Sequence, residues 1–258
     1  MARPSENARV RLNSVKLPRA ADVLAARVQE EIISGRYPDG SMLPTEKEMA
    51  DQLQVSRPTV REALRILESA GLVTTRPGPR GGPRVRRPDV PTVTRSLTTL
   101  FQYERVSLAD LLEASRAIEP ACARVAALRA TPDDIEALRT SVDAMRAGLE
   151  NDAVFWTENA NFHLALVSAG RNIVLHTLMT ALRELIYQFT AGMHIALEKR
   201  MSTLEEHAAI MEAIAAHDPD AAARASHTHL VRSEERMQER WPNLNAVGLN
   251  GSRPADGT

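Results

Sequence analysis

The sequence predicts a mainly α-helical protein with two domains, the first of which also contains a small β-hairpin. Aromatic residues make up 3% of the 258 residues, although 43% are hydrophobic. Helices favour Ala, Leu and Met, whereas strands favour aromatic and β-branched side chains. Apolar residues recur at helical spacing along most of the chain, and a chain of this length can bury a core in each of two domains.

The charges divide the chain into a basic and an acidic part. Residues 1–90 contain 16 lysines and arginines against 11 aspartates and glutamates, whereas residues 91–258 contain 16 against 22. A basic N-terminal part indicates contact with a polyanion, although an excess of this size is common on surfaces. The single cysteine, Cys122, excludes an internal disulfide, and neither a secretory signal nor an apolar run of membrane-spanning length is present. We therefore expect a cytoplasmic protein with no membrane partner.

Capping signals predict three helices near the N-terminus. Apolar spacing predicts the first helix over 20–34. Thr45 and Glu48 form a capping box that begins a short second helix. Ser56 caps a third helix, which continues to Gly71.

The segment after the third helix predicts a two-stranded hairpin. Two β-prone pieces, 72–75 and 84–86, flank a tip rich in glycine and proline. Two closely spaced helices followed by a β wing form a winged helix-turn-helix, and we assign this domain to residues 19–88.

The rest of the chain predicts an antiparallel all-α helical bundle over residues 107–241. Ser107 and the run from Thr131 to Asp134 are strong helix starts, and further helices are expected at 152–169, 173–199, 203–217 and 219–240. The prolines and polar composition between and around the domains predict a flexible arm, a linker and a disordered tail over residues 1–18, 89–106 and 242–258.

Three arginines run along one side of the Ser56-capped helix. Arg57, Arg61 and Arg65 are four residues apart, so they lie beside the apolar stripe and cannot be buried with it. The simpler interpretation is a solvated basic edge paired with nearby acids such as Glu62. The preceding capped helix, the basic hairpin and the basic balance of the domain favour a second interpretation, in which this helix enters the major groove of DNA.

The stretch LPTEKEMADQLQVSRPTVREALRILESAGLVTTRPGPRGG, residues 43–82, resembles the N-terminal domain of the GntR superfamily of bacterial transcription regulators. The resemblance implies contacts to double-stranded operator DNA. Lys47 stands where the family has arginine and therefore suits a phosphate better than a bidentate guanine contact. The residues implied in DNA binding are Lys47, Ser56, Arg57, Thr59, Arg61, Arg65 and Gly81.

The region from about Leu108 to Met237 resembles the all-helical ligand-sensing (FCD-type) domain of the FadR subfamily, through LLEASRAIEPACARVAA, ENANFHLALVSAGRN and EEHAAIMEAIAAHDPDAAARASHTHL. In many such domains an aspartate and three histidines hold a divalent metal. The resemblance implies that His163, His207 and His229 are ligands and that Asn159 takes the place of the aspartate.

An asparagine at this position changes the expected metal chemistry. The amide oxygen of Asn159 can coordinate a metal but carries no charge, so affinity for a hard cation should fall, while three imidazoles still suit zinc or nickel. The alternative is a polar pocket without metal. The other histidines, such as His176 and His217, are more simply interpreted as structural.

An anionic effector, either a carboxylate or an acyl ester, is expected in the same domain. Arg116 offers a planar fork to a carboxylate, although an ion pair with Glu119 is an equal alternative. Tyr187 and His194 are further candidates for contact with the effector.

The combined observations predict a dimeric, ligand-responsive repressor and not an enzyme. A single recognition helix reads one half-site, so a symmetric operator requires a homodimer. The main alternative is a metal-dependent hydrolase that uses the three histidines. Against it, the sequence contains neither an HExxH motif nor a glycine-rich phosphate loop, and Glu158 and Glu206 are not expected on the same face as the histidines. A nonspecific DNA-packaging protein would not need the large helical domain.

Overall fold

The computed structural model describes residues 18–78, 81–190 and 194–248, and the chain divides into two compact units between Asp89 and Val90. Helices dominate both units, which confirms the predicted fold class. Among the described residues, no helix is both long and apolar enough to cross a lipid bilayer. The predicted arm lies outside the described part of the chain except for Pro18.

The first unit consists of three helices and an antiparallel hairpin: α1 (Ala20–Ile33), α2 (Glu46–Leu53), α3 (Arg57–Ser69), β1 (Val73–Arg76) and β2 (Gly82–Val85). Both predicted caps are present, since Thr45 and Glu48 form the capping box of α2 and the Ser56 hydroxyl accepts the Thr59 N–H at 3.3 Å. Between the two helices, Gln54 adopts a left-handed conformation with φ of 53°. The chain thereby turns from α2 into α3 within three residues.

One face of α3 packs into the core of the first unit. Its buried side chains recur at helical spacing and contact α1, which contributes Leu24 and Ala25. The buried residues of α3 are Val60, Ala63, Leu64 and Leu67. The opposite face of α3 therefore lies toward solvent.

The hairpin has a third, shorter partner that the sequence does not predict. Strand β1 pairs with β2 from Val73 opposite Val85 to Arg76 opposite Gly82. Met42, in the segment before α2, forms an additional antiparallel bridge with Arg84. This bridge connects the hairpin to the start of the helix-turn-helix.

The second unit is a helical bundle: α4 (Val90–Tyr103), α5 (Leu108–Arg129), α6 (Pro132–Ala147), α7 (Asp152–Ala169), α8 (Ile173–Thr190), α9 (Leu197–Ala215), α10 (Pro219–Arg240) and a 3-10 helix (Leu244–Ala246). Helix α5 packs along α10 and against α7, α8 and α9, while α6 packs on α7 and α9. Large buried side chains fill the space between these helices, including Leu138, Met145, Phe155, Phe162, Leu166, Ile210 and Ile214.

The predicted linker over 89–106 is a helix for most of its length, because α4 occupies Val90–Tyr103. Pro91 lies in the first turn, where a missing N–H breaks no helical hydrogen bond. Helix α4 packs against α8 and buries Thr94. Tertiary contact thus stabilises a segment whose prolines suggest an irregular connection.

The helix predicted over 173–199 is interrupted between Thr190 and Leu197. Before α9, the backbone of Ala196 is extended, with φ of −55° and ψ of 144°. The buried Arg200 side chain donates from Nε to the Ile195 carbonyl at 2.8 Å and so holds the non-helical backbone. Helix α9 consequently begins earlier than the predicted start at residue 203.

The first part of the predicted disordered tail is ordered by packing. Trp241, Leu244 and Val247 are buried against the N-terminal part of α5. The Leu108 N–H donates to the Val247 carbonyl at 2.8 Å. The prediction is therefore wrong for residues 242–248, while residues 249–258 lie outside the described part.

Candidate functional site

Three arginines form a row on the solvent-facing side of α3. Arg57, Arg61 and Arg65, the arginine row, are all exposed, and the side chains of the latter two are 55% and 68% accessible. The core face of α3 lies on the other side of the helix. The row is therefore presented to solvent or to a partner.

Polar groups surround the N-terminal end of α3. The Ser56 hydroxyl lies 2.8 Å from the Thr59 hydroxyl as well as capping the helix. Lys47 is exposed on α2. A helix N-terminus with neighbouring hydroxyls and a cation is a favourable environment for a phosphate group.

Gly81 lies in the turn of the hairpin. Its N–H donates to the Gly78 carbonyl at 2.9 Å. A Cβ at this position would overlap the carbonyl oxygen of Arg76. The tight turn alone therefore requires glycine here, so the residue type is no independent evidence for contact with DNA.

Two members of the arginine row bind carboxylates. Arg61 donates from Nε and Nη2 to the two carboxylate oxygens of Glu46, at 3.3 and 2.9 Å. Arg65 makes a longer contact of 3.4 Å with Glu62, three residues earlier on α3. The Arg61 pair joins α2 to α3, whereas the Arg65 pair lies within one helix.

In the second unit, three histidines from three helices meet in the interior. His163 on α7, His207 on α9 and His229 on α10, the histidine centre, are each at most 2% exposed. Their ring centroids are 4.5 to 5.3 Å apart. One ligand nitrogen of each ring lies within 4.8 Å of the others. Phe162 stacks on the His207 ring with a centroid distance of 4.2 Å.

Each ring of the histidine centre has its Nδ1 engaged by a neighbouring side chain. His163 Nδ1 lies 2.6 Å from a carboxylate oxygen of Glu119, and His229 Nδ1 lies 2.9 Å from one of Glu206. The third ring has Met145 Sδ at 3.2 Å from its Nδ1. These contacts orient the three rings, and the Nε2 atoms of His207 and His229 face each other.

The carboxylates of Glu119 and Glu206 each accept hydrogen bonds from an arginine. Arg183 on α8 donates to Glu119, and Arg236 on α10 donates to both oxygens of Glu206 at 3.0 and 2.8 Å. Burial alone would raise the pKa of both carboxyl groups. The guanidinium groups and histidines instead hold the pKa of Glu119 well below its usual range and lower the pKa of Glu206 to about 2. Both carboxylates are therefore ionised at neutral pH.

The imidazoles are neutral at the same pH. Burial lowers the pKa of His163 to about 4, and it also lowers the pKa of His207 and of His229. Neutral imidazole is the form that binds a metal, so no proton has to leave the three rings at pH 7.

A small polar cavity lies beside the histidine centre. Its volume is about 40 Å³, and its polar lining includes His163, His229, Asn159, Arg183 and Arg236. A cavity of this volume has room for an ion with one or two waters or for a carboxylate group, but not for a long acyl chain.

One pair of nitrogens in the histidine centre has the separation found in tetrahedral metal sites. The Nε2 atoms of His207 and His229 are 3.3 Å apart. Two nitrogens bound to zinc at 2.0–2.1 Å in a tetrahedron are separated by about 3.3–3.4 Å. The amide of Asn159 lines the adjoining cavity, where the resemblance implies a fourth protein ligand.

Comparison with known proteins finds a family match for each of the two units. Residues 20–81 match the family model described as "Bacterial regulatory proteins, gntR family", and residues 110–232 match the FCD domain. A regulatory protein of Escherichia coli (strain K12) named for the L-lactate dehydrogenase operon is 34% identical over 225 residues, which cover 84% of this chain and 86% of that protein. This chain belongs to the GntR family. It is a transcriptional regulator with an FCD domain.

Two further comparisons support the assignment. The HTH-type transcriptional repressor NanR of Cronobacter sakazakii is 31% identical over 222 residues, covering 83% of this chain and 85% of that protein. A solved structure named Streptococcus agalactiae GntR superposes with a TM-score of 0.69 at 25% identity, covering 83% of this chain and 99% of that one. The GntR assignment confirms the resemblance noted in residues 43–82.

The structure of this GntR-family regulator does not bring the three predicted effector residues to the cavity. Arg116 donates to Glu234 at 2.7 Å, which is a different ion pair from the alternative one with Glu119. Tyr187 lines a neighbouring groove between α7 and α8. His194 is exposed and lies 2.9 Å from Asp152.

The residues that sequence reasoning missed are the charged groups around the histidine centre: Glu119, Arg183, Glu206 and Arg236. Glu206 directly precedes His207, and because neighbours in a helix point about 100° apart, the sequence predicts that the two side chains lie on different faces. The structure shows that Glu206 reaches across to His229 on α10. Only the packing of α9 on α10 reveals this contact.

The position of Glu206 also bears on the hydrolase alternative. Contrary to the expectation from its helical position, this carboxylate does lie at the histidine centre. However, a general base works best with a pKa near the working pH, and the pKa of Glu206 is lowered to about 2. Both Glu206 oxygens also already accept hydrogen bonds from His229 and Arg236, and these contacts and the GntR assignment argue against Glu206 as the base of a hydrolytic site.

Proposed function

We propose that this regulator binds operator DNA as a homodimer through α3 and the hairpin and represses transcription in response to a small anion. The arginine row is the observation that supports this proposal, because a major groove about 12 Å wide admits an α-helix with its side chains. Each dimer would present two copies of α3 to a two-fold symmetric operator. The proposed DNA-contacting residues are Lys47, Ser56, Arg57, Thr59, Arg61, Arg65 and Gly81.

The replacement Arg61→Ala tests the proposal. A base contact by this side chain predicts a loss of about 1–3 kcal/mol of operator affinity, measured by fluorescence anisotropy on a duplex selected by the wild type. Arg36→Ala is the matched control, since Arg36 is equally a surface arginine of the first unit, 72% accessible, but lies outside α3. Equal operator affinities for the wild type and Arg61→Ala would show that Arg61 does not contact the DNA.

We also propose that the histidine centre holds one divalent metal, zinc or nickel. His163, His207 and His229 would supply Nε2 ligands, and Asn159 would contribute its amide oxygen. The metal, when bound, would offer a positive Lewis-acidic centre to an anionic ligand. Glu119 and Glu206 would keep the rings oriented and add negative charge that Asn159 lacks.

Elemental analysis of protein purified without chelator tests the metal proposal. We expect close to one zinc or nickel ion per chain in the wild type and a large loss in His207→Ala. His227→Ala is the control, because His227 is exposed on the same helix as His229 and lies outside the centre. Wild-type protein that remains metal-free after incubation with excess zinc would contradict the proposal.

The proposed effector is a small carboxylate and not an acyl ester. Arg183 lines the cavity beside the histidine centre, and its buried Nε–H has no acceptor among the described residues, so it is available to donate to a carboxylate. The cavity of about 40 Å³ accommodates a carboxylate group but no long acyl chain. The name of the E. coli relative, which refers to the L-lactate dehydrogenase operon, is in keeping with a small acid.

A further inference from the structure

The pair formed by Glu46 and Arg61 differs from an ordinary surface ion pair. The two residues are 15 positions apart and lie on different helices, yet the carboxylate binds the guanidinium through two hydrogen bonds. The side chain of Glu46 is 32% accessible, which is less than the 55% of Arg61. A bidentate pair fixes the orientation of the guanidinium, whereas an isolated single contact at the surface adds little to stability.

Glu46 is itself held in place. It is the first residue of α2, directly after the Thr45 cap. The capping box fixes this end of the helix, because Glu48 accepts the Thr45 N–H at 2.7 Å. The positive end of the helix dipole also favours a carboxylate here. The backbone that carries the Glu46 carboxylate is therefore fixed at the end of α2.

The contact uses one edge of the guanidinium. Nε and one hydrogen of Nη2 bind Glu46. Both hydrogens of Nη1 and the second hydrogen of Nη2 have no acceptor among the described residues, and one hydrogen of each nitrogen forms the fork that matches O6 and N7 of guanine. A carboxylate on the side edge restricts the rotation of the Arg61 side chain without blocking the fork.

We propose that Glu46 is a positioning residue for DNA recognition, which holds Arg61 so that its Nη1–Nη2 fork reads a guanine in each half-site. This inference rests on the proposed binding of DNA by α3. A carboxylate near the DNA also repels phosphates, so Glu46 lowers affinity for every sequence while it sharpens the choice of one base. Removal of its charge therefore has opposite effects on nonspecific affinity and on specificity.

Selection from a randomised duplex library, with the full-length chain, tests the inference. The wild type should enrich a motif that contains one guanine whose preference disappears in Arg61→Ala. Glu46→Gln should reduce the preference for that guanine about three- to tenfold, keep the other positions, and bind random duplex at least as tightly as the wild type. Glu46→Asp, whose carboxylate is too short to reach Arg61 in the same way, should lose the preference without any change of charge.

Asp51→Asn is the matched control. It removes one negative charge from an exposed position of α2 that does not contact Arg61, so the base preference should persist. Unchanged guanine preference in both Glu46 variants would overturn the positioning role, as would an equal loss at every position of the motif. Failure of the wild type to enrich any motif would instead reject the proposed function itself.

Discussion

At the scale of single residues, the histidine centre is distinguished by two carboxylates that are buried beside its imidazole rings. Glu119 is fully buried, and Glu206 is 7% exposed. A buried carboxylate without a partner costs several kcal/mol, and here Arg183 and Arg236 supply the partners. The two carboxylate–arginine pairs thus allow negative charge to lie beside three neutral imidazoles.

Asn159 is the residue at which the proposed metal site would differ from the domains that the sequence resembles. The replacement Asn159→Asp would place a carboxylate in the cavity, and we expect metal to bind about tenfold or more tightly, because a charged oxygen is a stronger ligand than an amide oxygen. Competition with a zinc-binding dye at pH 7 would measure the change.

The variant Asn159→Ala provides the complementary measurement. It removes the amide oxygen and should weaken zinc binding relative to the wild type. Equal zinc affinity in the wild type, Asn159→Asp and Asn159→Ala would show that this position does not contact the metal.

At the scale of elements, local capping signals predict where helices begin, while packing decides which other segments become ordered. Thr131 and Asp134 form the capping box of α6, as their spacing indicates. The segment of α4 and the residues after α10 carry proline or weak local signals, yet both are structured against neighbouring helices. Long-range burial overrides local propensity in these two segments.

The segment after α10 is predicted to contribute to the stability of the second unit. Val247 is fully buried, so Val247→Ala should lower the free energy of unfolding by about 2 kcal/mol through lost apolar burial and a small cavity. Urea unfolding followed by circular dichroism would measure it. Asn245→Ala is the control on an exposed neighbour, and the same unfolding midpoint for both variants would show that this packing is absent in solution.

At the scale of the whole molecule, the two units carry different chemistry. The first unit presents the arginine row, and the second encloses the histidine centre. A ligand can change the behaviour of a regulator only by as much as it binds one conformational state better than another. The proposed metal and carboxylate would therefore act first on the helices that supply their ligands.

Hydrogen exchange measured by mass spectrometry can show which helices are stabilised when the metal and the carboxylate bind. We expect zinc to slow amide exchange in α7, α9 and α10, and a small carboxylate to slow it further, because a ligand that binds the native state stabilises it. An acyl thioester should produce no further slowing.

The variant His207→Ala is the control for this measurement and should show no response to zinc. Protection confined to the first unit, or protection of the second unit by the thioester and not by the carboxylate, would contradict the proposed site and effector class.

Much of this architecture is accessible from the sequence alone. Helical periodicity, the caps at Thr45, Ser56 and Ser107, and the four-residue spacing of the arginine row are properties of short segments, so they indicate the fold class and the exposed face of α3 directly. The three histidines follow from the resemblance to known domains, and the structure brings them together.

Only the tertiary structure decides the remaining features, because each of them joins residues that are distant in the chain. Glu119 meets His163 and Arg183 from three different helices, Glu206 reaches the histidine of α10, and Glu46 holds Arg61 across the turn between α2 and α3. Local periodicity assigns a residue to one face of its own helix but does not state which helix packs against that face. The partners of charged side chains therefore depend on how the helices pack.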